Sequence, residues 1–247
     1  MAVNNLNLTV RRGICFGFIG PNGAGKTTTV HLLADLLKKT EGELYIFGER
    51  IEDNIYEYKR KVGFVLEKPL YFEKLTGEEY LHFVGQMYDL EKGFVNKRTN
   101  ELLDFLEMTD KKNKRIETYS AGMKKKISFS AAIIHNPELL ILDEPFEGLD
   151  PISSKIIQDN LKLMVQNGTT IFLTSHNLNL VEKLCTEIAI IHNGELILQS
   201  PTKNIRNRIK SRMNKKKYSG LEELFLDLVS QARETKYLSW IKKEVSN

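Results

Sequence analysis

Apolar and polar positions run along this chain in two rhythms. Leu6, Leu8 and Val10 fall at every second residue, the spacing of a half-buried strand that turns at Arg12-Gly13. Ile14 to Ile19 is a continuous apolar run suited to a buried strand, and Val30, Leu32, Leu33, Leu36 and Leu37 then recur at helical spacing, carrying a helix to about Thr40-Glu41-Gly42. Leu44–Gly48 and Val62–Leu66 read as further strands. Thr76-Gly77-Glu78-Glu79 is a capping box that opens a helix through about Leu90, with a second helix over 93–107. A third begins at Ser120 and carries Ile127, Phe129, Ile133 and Ile134. Strands at 139–142 and 169–174 alternate with helices at 151–166 and from Asn177, and strands 187–192 and 195–199 are joined by an Asn193-Gly194 hairpin turn. Strands alternating with helices predict an α/β fold with a mainly parallel sheet covered on both faces. The lysine-studded helical block at roughly 76–135 interrupts that alternation as an inserted helical subdomain would.

Composition narrows the class. The chain has 247 residues, 41% hydrophobic and 28% charged, enough for one large domain with a core, and its formal charge of +4 is too mild to argue for nucleic acid. Two cysteines, Cys15 and Cys185, make neither a disulfide framework nor a metal cluster and fit a reducing cytosol. No stretch reaches the roughly 18 uninterrupted apolar residues of a membrane span. The first residues carry no signal-peptide pattern, so a membrane role requires another chain to supply the membrane part. Residues 203–217 hold eight basic residues and no acid, a solvated basic helix or a surface facing anionic lipid. Leu221, Leu224, Phe225 and Leu228 then space an amphipathic helix, and residues 229–247 form a helical tail with Tyr237, Trp240 and Ile241.

The chemistry begins at Gly20-Pro21-Asn22-Gly23-Ala24-Gly25-Lys26-Thr27-Thr28, which fits G-x-x-x-x-G-K-[ST] between a strand and a helix. Glycines and small residues let backbone N–H groups turn inward onto phosphate oxygens, Lys26 adds charge at the β/γ end, and the Thr27 hydroxyl can ligate Mg2+. The apolar run Leu139–Leu142 ends in Asp143-Glu144, placing two carboxylates at the carboxyl edge of a parallel sheet. Asp143 there suits Mg2+, and Glu144 suits a water-polarising base. His176 follows another buried strand and reaches the same edge, where it can touch the γ-phosphate or hold the water. Ser120 and Gly122 open a helix, an anion site built from hydroxyl, N–H groups and dipole.

In that order these elements resemble the ATP-binding cassette (ABC) ATPases over about residues 2–228. Walker A is matched by Gly20–Thr28, the signature by Ser120–Met123, and Walker B by Leu139–Asp143. The resemblance implies a P-loop NTPase (RecA-like) core with a mainly parallel sheet, a small antiparallel β part at the N-terminus and the helical subdomain. It also implies bound ATP and Mg2+. It places Glu67 at the Q-loop, where a carboxylate in place of glutamine can reach the metal, Glu144 as the catalytic glutamate, Glu147–Asp150 as the D-loop and His176 as the switch histidine. Tyr119-Ser120-Ala121-Gly122-Met123-Lys124 and Leu221–Leu226 look like the bacterial branch that powers ABC-2-type exporters of drugs, peptide antibiotics and other cargo.

The family's dimer implies a second copy of this chain, bound head to tail, with Ser120 of one copy capping the ATP held by Lys26 of the other. It also implies a separate membrane permease, a location on the inner face of the cell membrane, and no nucleic-acid partner. The aromatic residue that stacks on adenine in the family has no counterpart before Leu6: either stacking is weak or comes from elsewhere and the phosphate contacts carry most of the affinity, or this chain lacks its natural start. Non-transport ABC ATPases of DNA repair or translation share these motifs but usually add a coiled coil, a zinc module or a second cassette, none visible here. A GTPase switch needs Asn-Lys-x-Asp, which the Asn-Lys pairs at 96–97, 113–114 and 214–215 lack.

Overall fold

A computed structural model describes residues 2–68, 71–204 and 221–230. The chain divides into two compact units at Thr202/Lys203. In the first, β1 (Cys15–Ile19), β4 (Val62–Val65), β5 (Leu139–Asp143), β6 (Thr170–Thr174) and β7 (Glu187–His192) are parallel, and β8 (Glu195–Pro201) closes one edge antiparallel. The sheet order is β4-β5-β6-β1-β7-β8. Strands β1, β5 and β6 are buried at every position, as their unbroken apolar runs require when helices cover both faces. Phe172 of β6 stacks on Phe16 at 5.8 Å and lies 5.4 Å from Phe18, locking the neighbouring strands side chain to side chain.

Helices α1 (Lys26–Leu33), α2 (Ile55–Lys61), α3 (Gly77–Met87), α4 (Lys92–Phe105), α5 (Ala121–Ile133), α6 (Pro151–Gln166) and α7 (Leu178–Leu184) complete this unit, with a two-stranded hairpin of β2 (Tyr45–Ile46) and β3 (Glu49–Arg50). Local signals set several boundaries. Thr76 and Glu79 cap α3 reciprocally, at 3.2 and 2.8 Å. Asp150 caps α6, whose first residue is Pro151. Asn177 caps α7. In the second unit, α8 spans Leu221–Ser230. Most of the basic 203–217 stretch and residues 231–247 lie outside the described residues.

Three expectations change and one helix is added. The first helix stops at Leu33: Asp35 takes a left-handed φ of 56°, and Leu36 and Leu37 are exposed at 56% and 45%. Their helical spacing was local hydrophobicity without a face of the core to bury against. Leu6, Leu8 and Val10 do pack on the core at alternate positions, but residues 6–10 join no strand ladder. Leu44–Gly48 is a two-residue strand and a tight turn, with Phe47 at φ 57° and Gly48 at φ 90°. Helix α2 was not foreseen, although Asn54 caps it by accepting the Glu57 N–H. In the helical block, Tyr71 ties the segment after β4 to α5 by donating its hydroxyl to the Lys124 carbonyl at 2.8 Å.

Candidate functional site

Parallel strands deliver their carboxyl ends to one edge, and the sequence places a chemical group at the end of each central strand. After β1, residues 20–25 turn tightly: Ala24 N–H donates to Pro21 O at 3.1 Å, and Gly194 N–H of the β7–β8 turn donates to Ala24 O at 2.9 Å. Gly20 is obligatory because a Cβ there would overlap the Ile191 carbonyl. Gly25 caps α1 with φ 109° and supplies no side-chain acceptor, leaving the first N–H groups of the helix free for an anion. Lys26 is buried, its ammonium 2.8 Å from Gly20 O and 3.3 Å from Pro21 O. Burial pulls its pKa below the usual lysine value, while Glu144, Asp143 and Glu67 pull it back up. Pro21, Asn22, Gly23 and Thr28 complete the loop, and the Thr27 hydroxyl donates to Glu67 Oε2 at 3.4 Å.

At the end of β5, Asp143 is fully buried. The Thr174 hydroxyl donates to its Oδ1, while Oδ2 has no protein partner. Glu144 follows in a left-handed conformation, φ 46°, that few non-glycine residues adopt. Its N–H donates to Thr174 O at 3.3 Å and to Thr174 Oγ1 at 3.2 Å. Its carboxylate Oε2 lies 3.0 Å from His176 Nδ1, which follows β6 and is 63% exposed in its side chain. Thus Lys26, Thr27, Glu67, Asp143, Glu144 and His176, found far apart in sequence, share one sheet edge.

These residues fit Mg2+ and a polyphosphate. One Asp143 oxygen is held and the other is an orphaned buried acceptor, which a cation or its water satisfies. The loop N–H groups and Lys26 supply the anion cradle. Ser120 and Gly122 stand apart from that cluster. Exposed Ser120 caps α5 by accepting the Met123 N–H at 3.2 Å, and a Cβ on Gly122 would lie 3.1 Å from Gly148 O. Sequence reasoning missed Lys125, buried in α5 with its Nζ 3.2 Å from the Glu144 carbonyl. It sits in the run Lys124-Lys125-Lys126, where no sequence signal marks one lysine as buried.

A phosphate loop after β1, with β6 inserted between it and the acid-ending β5, defines a P-loop ATPase with the motif order of an ATP-binding cassette. The chain belongs to the ABC transporter family, whose model matches residues 3–147, and it is an ATP-binding ATPase of that family. It is 36% identical to the linearmycin resistance ATP-binding protein LnrL of Bacillus subtilis, over 91% of this chain and 72% of that protein. It is 40% identical to the bacitracin transport ATP-binding protein BcrA of Enterococcus faecalis, over 79% of this chain and 63% of that protein. The chain thus spans roughly two thirds of the length of these relatives. Among solved structures, the ATP-binding subunit of an ABC transporter superposes with a TM-score of 0.85 at 29% identity, covering 92% of this chain and 93% of that one. A dimeric cassette in a post-hydrolysis state with ADP and Pi gives a TM-score of 0.74 at 26% identity, covering 81% and 90%. Among the described residues no helix is long and apolar enough to cross a membrane.

Proposed function

We propose that this chain is the ATPase subunit of an exporter, with residues 1–228 as the cassette, 76–135 as its helical part and 229–247 as a tail. The family, with relatives named for linearmycin resistance and bacitracin transport, supports that class. Two copies close head to tail around two ATP molecules, and a separate permease on the inner face of the membrane receives the motion. The exposed Phe72, Phe83 and Met87, where Phe72 and Phe83 pack edge to face at 5.0 Å, supply an apolar surface for a permease helix.

Residues 20–28 bind the phosphates, and Ser120 and Gly122 of the second copy complete the γ-phosphate site. Thr27 and Asp143, with Glu67 beside them, would hold Mg2+, which when bound would supply positive charge to offset that of the phosphates. Glu144 takes the proton of the attacking water, and His176 orients Glu144 or the water. The observation that carries this reading is the Glu144–His176 pair at 3.0 Å beside the Asp143–Lys26 cluster. Glu144→Gln should keep ATP binding, slow turnover by at least about a hundredfold, and trap an ATP-bound dimer visible by size exclusion. Undiminished hydrolysis by that variant would reduce Glu144 to a structural acid.

A further inference from the structure

Helix α5 carries three consecutive lysines behind Ser120, and their fates differ. Lys124 pairs with Glu73 at 2.9 Å near the surface, and Lys126 donates to the Leu106 carbonyl at 3.0 Å, at the end of α4. Lys125 alone is buried, 8% exposed, and donates to the Glu144 main-chain carbonyl at 3.2 Å. An ammonium taken out of water is costly unless it is paired and hydrogen-bonded. Facing Lys125 are Glu147, Asp143, Glu67 and Glu144, and Lys26 faces the last three as well. Carboxylates from the ends of β4 and β5 therefore share two buried lysines, one from α1 and one from α5.

The backbone at Glu144 needs such a clamp. A left-handed φ of 46° at a glutamate persists only when its surroundings over-determine it. Thr174 holds the Glu144 N–H. On the other side, its carbonyl accepts from Lys125 Nζ at 3.2 Å and from the Glu147 N–H at 3.3 Å. We propose that Lys125 is a positioning residue for hydrolysis. Its ammonium pins the Glu144 backbone in the conformation that pairs the carboxylate with His176, and so joins the helix that begins at Ser120 to the carboxylate acting on the water in the same chain. The inference rests on the reading of Glu144 given above.

The test is steady-state ATPase kinetics on Lys125→Met and Lys125→Arg beside Glu144→Gln, with fluorescent-nucleotide binding and thermal unfolding on each. Lys125→Met should hold KM for ATP within about threefold while kcat falls about 10- to 100-fold, the scale of a misplaced reacting group. Lys125→Arg, which keeps the charge and the donor, should recover most of that loss. A normal kcat in Lys125→Met, a loss expressed in KM instead, or an arginine no better than methionine overturns the proposal. If Lys125→Met fails to fold, Lys125→Leu, which also lacks a donor, is held to the same criteria. Normal turnover in Glu144→Gln removes the reading of Glu144 itself. A Glu144→Gln that has lost turnover beside a fully active Lys125→Met removes only the role of Lys125.

Discussion

Helices α1 and α5 both begin at small residues, yet their N-termini are built in opposite ways. At α1 the capping residue is a left-handed glycine without a side chain, and Ala24, Gly25 and Lys26 are all buried. At α5 the capping residue is Ser120, extended, exposed, and already hydrogen-bonded to the Met123 N–H. The first end is uncapped and surrounded by charge: Lys26 lies among Glu144, Asp143 and Glu67. The second is an ordinary capped helix end whose hydroxyl has a local partner. The difference teaches that one end is left open for an anion by its own chain, while the other already has a first-turn N–H group capped from within its own helix.

Lys26→Met gives the largest expected break in that contrast. Nucleotide affinity measured with a fluorescent analogue should fall about a hundredfold, ~2.7 kcal/mol, the effect expected of a cation proposed to meet the phosphates directly. Unchanged affinity would mean that the loop N–H groups suffice and that α1 is no more committed than α5. Ser120→Ala is the intermediate case. It should leave nucleotide binding within about twofold, cost about 1 kcal/mol of stability for the lost cap, and weaken the ATP-trapped dimer of Glu144→Gln about tenfold. Ser120→Asp then separates the two roles: an aspartate still caps, so stability returns, but its charge repels a γ-phosphate and the dimer should weaken further.

The smallest effect concerns the far end of α5. His135 stacks on Tyr88, with ring centroids 3.6 Å apart, and burial pushes its pKa from 6.5 down to about 4. Between those values the unfolded chain binds the proton and the folded chain does not, so stability is full above pH 6.5 and falls as pH drops toward 4. His135→Phe keeps the stack and should flatten that slope, read as the difference between melting midpoints at about pH 7.5 and 5. An unchanged slope would assign the acid sensitivity to other groups.

Features read correctly in the sequence are those whose physics is local. The Thr76–Glu79 box, Asn177 and Ser120 each satisfy a helix end within four residues, so spacing alone reveals them. The apolar runs of β1, β5 and β6 are unbroken because both faces are covered. The readings that shifted depended on partners elsewhere. Whether Leu36 and Leu37 extend α1 turns on the presence of a core face above them, and whether residues 6–10 form a strand turns on a ladder partner. Lys125 sits in a run of three lysines, and nothing within α5 distinguishes the buried one.

By itself the sequence determined that a phosphate-binding turn joins a buried strand to a helix, that an apolar strand ends in paired acids, and that a capped helix precedes it. Each is a short-range match of residue type to backbone need. Only the tertiary structure decided that β6 lies between β1 and β5, with Phe16 in register with Phe172 and Asp143 with Thr174. That pairing brings the Thr174 hydroxyl to Asp143 and His176 to Glu144, and the packing of α5 brings Lys125 to the Glu144 carbonyl. Strand order is set by long-range burial and hydrogen bonding between distant segments, and no local spacing encodes which of several equally apolar strands will be neighbours.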